Sequence, residues 1–202
     1  EAWRERLQLE QSSYEYDDVL LLDPAGGVLL SAADAPGAHG AATLRAVTEA
    51  IAAGHAVMSD IYRSAAGRVL VDTVAPVFDL DGAQLAVLVL RSDLETDLFP
   101  LIQTWPTPSE SSETLLVQRD GNEVLFLNEL RHQSGTALTL RISLDRIEVP
   151  AVQAVLGRQG VYQGVDYRGH DVLADLRAIP DTPWFMVAKQ DTAEILADLH
   201  YH

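Results

Sequence analysis

The feature that most limits what this chain can fold into is an internal copy. Tyr62 to Asp93 reads YRSAAGRVLVDTVAPVFDLDGAQLAVLVLRSD, and a shortened version returns at Tyr167 to Asp191 as YRGHDVLADLRAIPDTPWFMVAKQD. Both open with Tyr-Arg, at Tyr62-Arg63 and Tyr167-Arg168, with a Gly soon after. Both continue Val-Leu-x-Asp-x-x-Ala, matching Val69, Leu70, Asp72 and Ala75 to Val172, Leu173, Asp175 and Ala178. Both turn at Pro and Asp, and both finish Val-x-basic-x-Asp, with Val89, Arg91 and Asp93 against Val187, Lys189 and Asp191. Apolar alternation would arise in any two β-hairpins, but this order of Tyr-Arg, Asp, Ala and a terminal base would not. A repeat of this length means two similar modules in tandem, each of about 90 residues.

Two small domains suit a chain of 202 residues, and 48% hydrophobic residues suffice to bury a core in each. The net charge of −16 argues against a nucleic-acid partner, whose phosphates need Lys and Arg, and against lying on an anionic membrane surface. With no cysteine there is no disulfide, thiolate metal site or thiol nucleophile. No apolar run reaches the roughly 18 residues of a membrane span. The chain begins at Glu1 without a Met, and is read as an excised or processed piece of a longer protein.

Residues 1–14 spell a charged amphipathic helix with Trp3, Leu7 and Tyr14 or Glu10 along one side, the end of a longer signalling helix. Asp18 to Ser31 is two apolar runs around Asp-Pro-Ala-Gly-Gly, a hairpin. Gly37 to Gly40 is a flexible entry to a helix over Ala41–Gly54, with Leu44, Val47 and Ile51 on its apolar face. Strands follow over Val57–Arg63, Val69–Phe78 and Ala83–Arg91, then a linking helix over Glu95–Trp105. The plan repeats: strands over Thr114–Gln118, Glu123–Leu127 and Ala137–Leu144, a helix over Pro150–Leu156, strands over Val161–Tyr167, Asp171–Ile179 and Trp184–Lys189, and a closing helix from Thr192. Two strands, a helix and three strands per module predict an α+β fold, antiparallel sheets with flanking helices, because parallel βαβ units would alternate regularly. The expected boundaries are 1–14 for the first helix, 15–105 for the first module, 106–112 for a linker, 113–191 for the second module and 192–202 for the last helix.

This order of elements, with the stretches Trp105-Pro-Thr-Pro-Ser109, Glu113-Thr-Leu-Leu-Val117, Phe126-Leu-Asn128, Gly164 to Gly169 and Trp184 to Lys189, resembles the double Cache domain. That is the tandem PAS-like extracytoplasmic sensor of bacterial receptors such as histidine kinases and diguanylate cyclases. The resemblance covers nearly the whole chain and is specific for fold. It implies a non-catalytic, periplasmic sensing domain of a membrane-tethered receptor that dimerises, binds a small molecule in its first, membrane-distal module, and leaves any kinase or cyclase output to segments outside this chain. The alternative is a structural or dimerisation module whose pockets are filled by its own side chains.

Enzyme signatures are thin. His39, His55, His132, His170, His200 and His202 form neither HExxH nor a tight cluster, so no metal and no cofactor are expected. There is no GxSxG elbow and no strand-to-helix phosphate loop. Paired carboxylates such as Asp17-Asp18 read as solvated turn residues. For the first module the expected ligand-binding residues are Asp60, Tyr62, Arg63 and Arg91, around a polar cavity between the sheet and Ala53–Asp60; Tyr167 and Lys189 are the second-module candidates. Adjacent strand residues face opposite sides, so Tyr62 and Arg63 cannot share one pocket, and Tyr62 is the one expected inward. Double Cache sensors of amino acids carry a Trp-Tyr pair that is missing around Gly54 to Met58, and Arg91 falls near the place of their late-strand Asp. That reversal of charge favours an anionic ligand such as a small carboxylate. The competing reading makes Arg91 a solvated strand end paired with Asp93.

Overall fold

The structure is a computed structural model describing residues 2–33 and 39–200; Gly37 and Ala38 of the expected flexible entry lie outside these, as do Tyr201 and His202. By its internal contacts the chain divides into Glu1–Leu98 and Phe99–His202, and each unit carries one six-stranded antiparallel sheet. The first unit contains α1 (Ala2–Tyr14), β1 (Asp18–Leu22), β2 (Val28–Ser31), α2 (Ala41–Ala53), β3 (Val57–Met58), β4 (Tyr62–Arg63), β5 (Val69–Phe78) and β6 (Gln84–Asp93). Its sheet order is β2-β1-β6-β5-β3, with β4 also on β5. After α3 (Leu98–Gln103) the second unit contains β7 (Glu113–Asp120), β8 (Glu123–Phe126), β9 (Arg141–Ser143), α4 (Pro150–Val155), β10 (Gly160–Val165), β11 (Asp171–Ala178), β12 (Trp184–Asp191) and α5 (Thr192–His200). Its order, β10-β11-β12-β7-β8-β9, repeats the first read from the other edge, with β10 in the place of β3 and β4 and with β9 added beyond β8. Among the described residues no helix is long and apolar enough to cross a membrane.

Each core lies between a sheet and one helix. In the first unit Leu20, Leu22, Val74, Val87 and Val89 meet Ala46, Val47 and Ala50 of α2. The helix buries Ala42, Thr43, Ala46, Val47 and Ala50 while Leu44 is 41% exposed, so its inner face sits one residue away from that expected from Leu44, Val47 and Ile51. The small residues form the contact because they let the helix axis approach the sheet. Gly54 ends α2 in the left-handed region at φ 70°, and its amide closes on Ala50. In the second unit α4 places Ala151, Val152, Ala154 and Val155 over Leu115, Val117, Leu176 and Val187. Helix α1 buries nothing; Trp3 and Tyr14 are exposed.

Two expected strands are shorter than their patterns. Within Ala137–Leu144 only Arg141–Ser143 pairs, because the Glu129 carboxylate accepts the amides of Gly135, Thr136 and Ala137, and Leu138 turns left-handed at φ 58°. Those amides are therefore withdrawn from any ladder. Val57–Arg63 is split by a bulge. Val57 and Met58 pair with Val74 and Thr73, whereas Tyr62 and Arg63 pair with Leu70 and Val69, so β3–β4 carries one residue more than β5 opposite. The bulge matters for function, since a one-residue slip exchanges the faces of a strand. It puts Tyr62 on the face of Leu70 and Asp72 rather than on that of Val69.

Candidate functional site

In the first module the bulged Tyr62 points at Asp72, and Asp72 lies directly across from Arg91 on β6. Arg91 is 3% exposed and Asp72 fully buried. The guanidinium donates from Nε to Asp72 Oδ1 at 2.9 Å and from Nη2 to Oδ2 at 3.2 Å, a two-pronged pair. The Tyr62 hydroxyl donates to the same carboxylate at 3.0 Å, and Thr43 of α2 at 2.6 Å. Ser59 exchanges two more bonds with the Asp72 backbone. A buried charge is tolerated when paired and hydrogen-bonded, and Asp72 is both. Burial pushes the Tyr62 phenol up to about 12, and the neighbouring Asp72 charge adds to it. Burial pulls the Arg91 guanidinium down, but the Asp72 bonds and charge outweigh that and leave it above its ordinary value. The Arg91 guanidinium also lies over the Tyr62 ring, with Cζ 6.0 Å from the ring centre.

The other first-module candidates stand apart from this cluster. Asp60 is exposed and pairs with Arg45 at 3.0 Å. Arg63 is exposed and donates to the Gly67 carbonyl. The pairing of Arg91 with Asp93 does not occur: Arg91 faces the core, and Asp93 accepts from Arg68 instead. Asp18, expected in solvent, is 4% exposed and sits beside Arg91 on β1, where its carboxylate accepts Val19, Ala33 and Ser31.

The second module places Lys189 where the first has Arg91. Arg91 pairs with Asp18 of β1 and Asp72 of β5; Lys189 pairs with Glu113 of β7 and Ala174 of β11. Asp72 therefore corresponds to Ala174, one residue short of the Asp175 to which the sequence motif matched it. Asp175 faces the other way and holds exposed Arg177. The Tyr-Arg motifs do not correspond either. Strand pairing puts Gly164 opposite Val172 where Tyr62 is opposite Leu70, and a side chain at Gly164 would collide with the Glu148 carbonyl and the Tyr162 ring. Tyr167 comes from the following turn.

The chemistry nonetheless converges. Lys189 is 1% exposed, with its ammonium 3.0 Å from Glu113 and 2.8 Å from Asp166. The Tyr167 hydroxyl donates to Glu113 at 3.0 Å, and the lysine nitrogen lies 5.2 Å from its ring centre. Burial pushes the Tyr167 phenol up, as does the Glu113 charge. Asp166 also accepts Arg168 at 2.7 Å; burial raises its carboxyl, and the Lys189 bond and charge outweigh that to hold it below the usual range. Sequence reasoning named the two bases and two phenols but missed Asp72, Thr43, Glu113 and Asp166. The overlooked signal was the base at a fixed strand position, which demands an acid on the strands beside it.

No protein-family model matches the sequence, and no curated protein is similar to it in sequence. Solved structures are similar in fold. The ligand-binding domain of the amino-acid chemoreceptor PctC of Pseudomonas aeruginosa PAO1, in complex with GABA, superposes with TM-score 0.64 at 20% identity over 93% of this chain and 80% of that one. The extracellular domain assigned to histidine kinase rpHK1S-Z16 gives 0.69 at 15% identity, over 96% and 79%. An extracellular ligand-binding receptor from Desulfohalobium retbaense DSM5692 gives 0.60 at 18% identity; the chain covers 91% of itself there but 32% of that receptor. With two PAS-like modules in tandem, the chain has the double Cache fold, the fold of extracellular ligand-binding domains of chemoreceptors and histidine kinases.

Proposed function

We propose that this chain is the extracytoplasmic input domain of a membrane-bound signalling receptor, and that its first module senses a small carboxylate beside Tyr62, Arg91 and Asp72. One observation carries the reading: a polar cluster stands in the core of that module where apolar residues would be cheaper. Replacing a buried ion pair by packed apolar side chains is often neutral or stabilising, so a retained pair suits a switch. Arg91 is the one buried base among the described residues of the first unit. Asp72 then acts as an internal carboxylate that a ligand carboxylate displaces from the guanidinium. Such a ligand shifts the module between two states only by its differential affinity for them. Full saturation of Asp72 by its own neighbours favours the second reading, a structural module without a ligand.

A thermal-shift screen of small carboxylates separates the two. A ligand at a hundredfold excess over its Kd stabilises by about 2.7 kcal/mol. The sensor reading expects a clear rise in Tm that Tyr62→Phe or Arg91→Met abolishes. No rise with any carboxylate leaves the structural reading standing.

A further inference from the structure

The second module holds a cleft of about 410 Å³, inside the roughly 300–1,000 Å³ span of small-molecule sites. Gln103 from the end of α3, Glu113 and Thr114 of β7, and the segment Glu129–Arg131 that follows β8 line it. Its charges are arranged unusually for so acidic a protein. Arg131 donates from Nη1 to the Ser112 carbonyl at 2.7 Å and from Nη2 to the Ser109 carbonyl at 2.9 Å, so two neutral oxygens fix the guanidinium. No carboxylate lies within ion-pair distance of it among the described residues. The carboxylates of the cleft are engaged elsewhere. Glu113 meets Lys189, Tyr167 and the Arg131 amide; Glu129 meets three backbone amides, and although burial raises its carboxyl, those amides hold it below the usual range. Opposite charges thus stand in one cleft without pairing with each other.

We propose that this cleft is a second ligand site, for a small zwitterion whose carboxylate takes the free edge of Arg131 and whose ammonium faces Glu129. Because Lys189 already neutralises Glu113, a simple anion would meet the Glu129 carboxylate and a simple cation would meet Arg131; a molecule carrying both charges satisfies the lining. The site goes beyond the first-module reading and does not depend on it. It also has a route outward. The Ser109–Ser112 strap that holds Arg131 grips Glu194 of α5 through the Glu110 and Ser111 amides and the Ser111 hydroxyl, so a ligand that moves Arg131 pulls on the strap that fixes α5.

Titration calorimetry of the 202-residue chain with GABA, asparagine, acetate and methylammonium tests it. The expected result is binding of at least one zwitterion but neither single-charge probe, weakened about 10-fold or more by Arg131→Ala, since a charge-assisted bond is lost. Because Arg131→Ala also frees the strap, Glu129→Gln serves as the second variant; it keeps an oxygen for the loop amides and should weaken the zwitterion too. Tyr62→Phe should leave that binding unchanged. Zwitterion binding that responds to Tyr62→Phe and not to Arg131→Ala or Glu129→Gln overturns the second site and places the ligand in the first module. Absence of zwitterion binding overturns it as well.

Discussion

In the first module the buried base is an arginine answered by one carboxylate from the next strand; in the second it is a lysine answered by two, from a different strand and a turn. The base keeps its register in both sheets, as does the acid beside it on β1 and β7, Asp18 and Glu113, but the carboxylates that ion-pair with the base change place. The side chains explain why. A guanidinium is a planar fork that one carboxylate fills with two parallel bonds, whereas an ammonium is a point charge with three donors that two carboxylates can share. Once β11 carries Ala174 at the position of Asp72, a compact lysine served from Glu113 and Asp166 is the workable solution. The phenol follows the acid: Tyr62 reaches Asp72 by a bulge, and Tyr167 reaches Glu113 from a turn because Gly164 must stay bare. Duplicated modules can thus preserve a buried base while changing which carboxylates pair with it.

The strongest way to break this comparison is to remove one acid. Asp72→Ala leaves Arg91 unpaired in the core, and breaking a buried pair costs about 3–5 kcal/mol. Chemical denaturation should register that as a large fall in midpoint, and Asp72→Ala combined with Arg91→Met should recover most of it. Lys189→Met should cost less, because Asp166 keeps Arg168 and Glu113 keeps Tyr167. Equal losses from Asp72→Ala and Lys189→Met would show that the second network has no redundancy.

A smaller effect separates the two terminal helices. Helix α1 is held by neutral side chains, Gln8 donating to Ala32 and Gln11 to Asp17. Helix α5 is held by a charge: the Ser111 hydroxyl and the strap amides bring Glu194 down to about 2 from an ordinary 4.5. A depressed carboxyl contributes stability that is present above its unfolded value and lost as the pH falls through its folded value. The stability difference between wild type and Glu194→Gln should therefore be full at pH 6 and shrink as the pH drops from about 4.5 toward about 2. A difference independent of pH across that window would mean that the strap holds α5 without using its charge.

How much of this was legible follows from the same physics. The order of elements and the α+β plan were readable, because apolar periodicity and turn residues set them, and the double Cache fold came from resemblance in that order, the internal copy and a few short stretches. Arg91, Lys189, Tyr62 and Tyr167 were readable because the internal copy repeats a Tyr-Arg pair and a terminal base. The acids were not, because a partner across a sheet depends on register, and register depends on features with no strong local signature. The bulge between Ser59 and Tyr62 is one, and the close approach at Gly164 is another. Asp18 read as a solvated turn residue and Glu113 carried no assigned role until the sheet placed each beside a base.

The smallest expected effect tests the register itself. The repeat matched Asp72 to Asp175 by motif, and the sheets separate them by one residue. Sequence likeness therefore expects the two substitutions to behave alike, while the structure expects opposite outcomes. Asp175 is on the outer face with its side chain 37% exposed, and it pairs with Arg177, 63% exposed, at 2.9 Å. Exposed pairs of this kind contribute little, and surface changes usually fall within about 0.5 kcal/mol of zero. Asp175→Ala should accordingly leave the denaturation midpoint almost where it was, against the large fall from Asp72→Ala. A loss from Asp175→Ala approaching that of Asp72→Ala would place Asp175 inside the second core, shift β11 by one residue against β12, and return the motif alignment to favour.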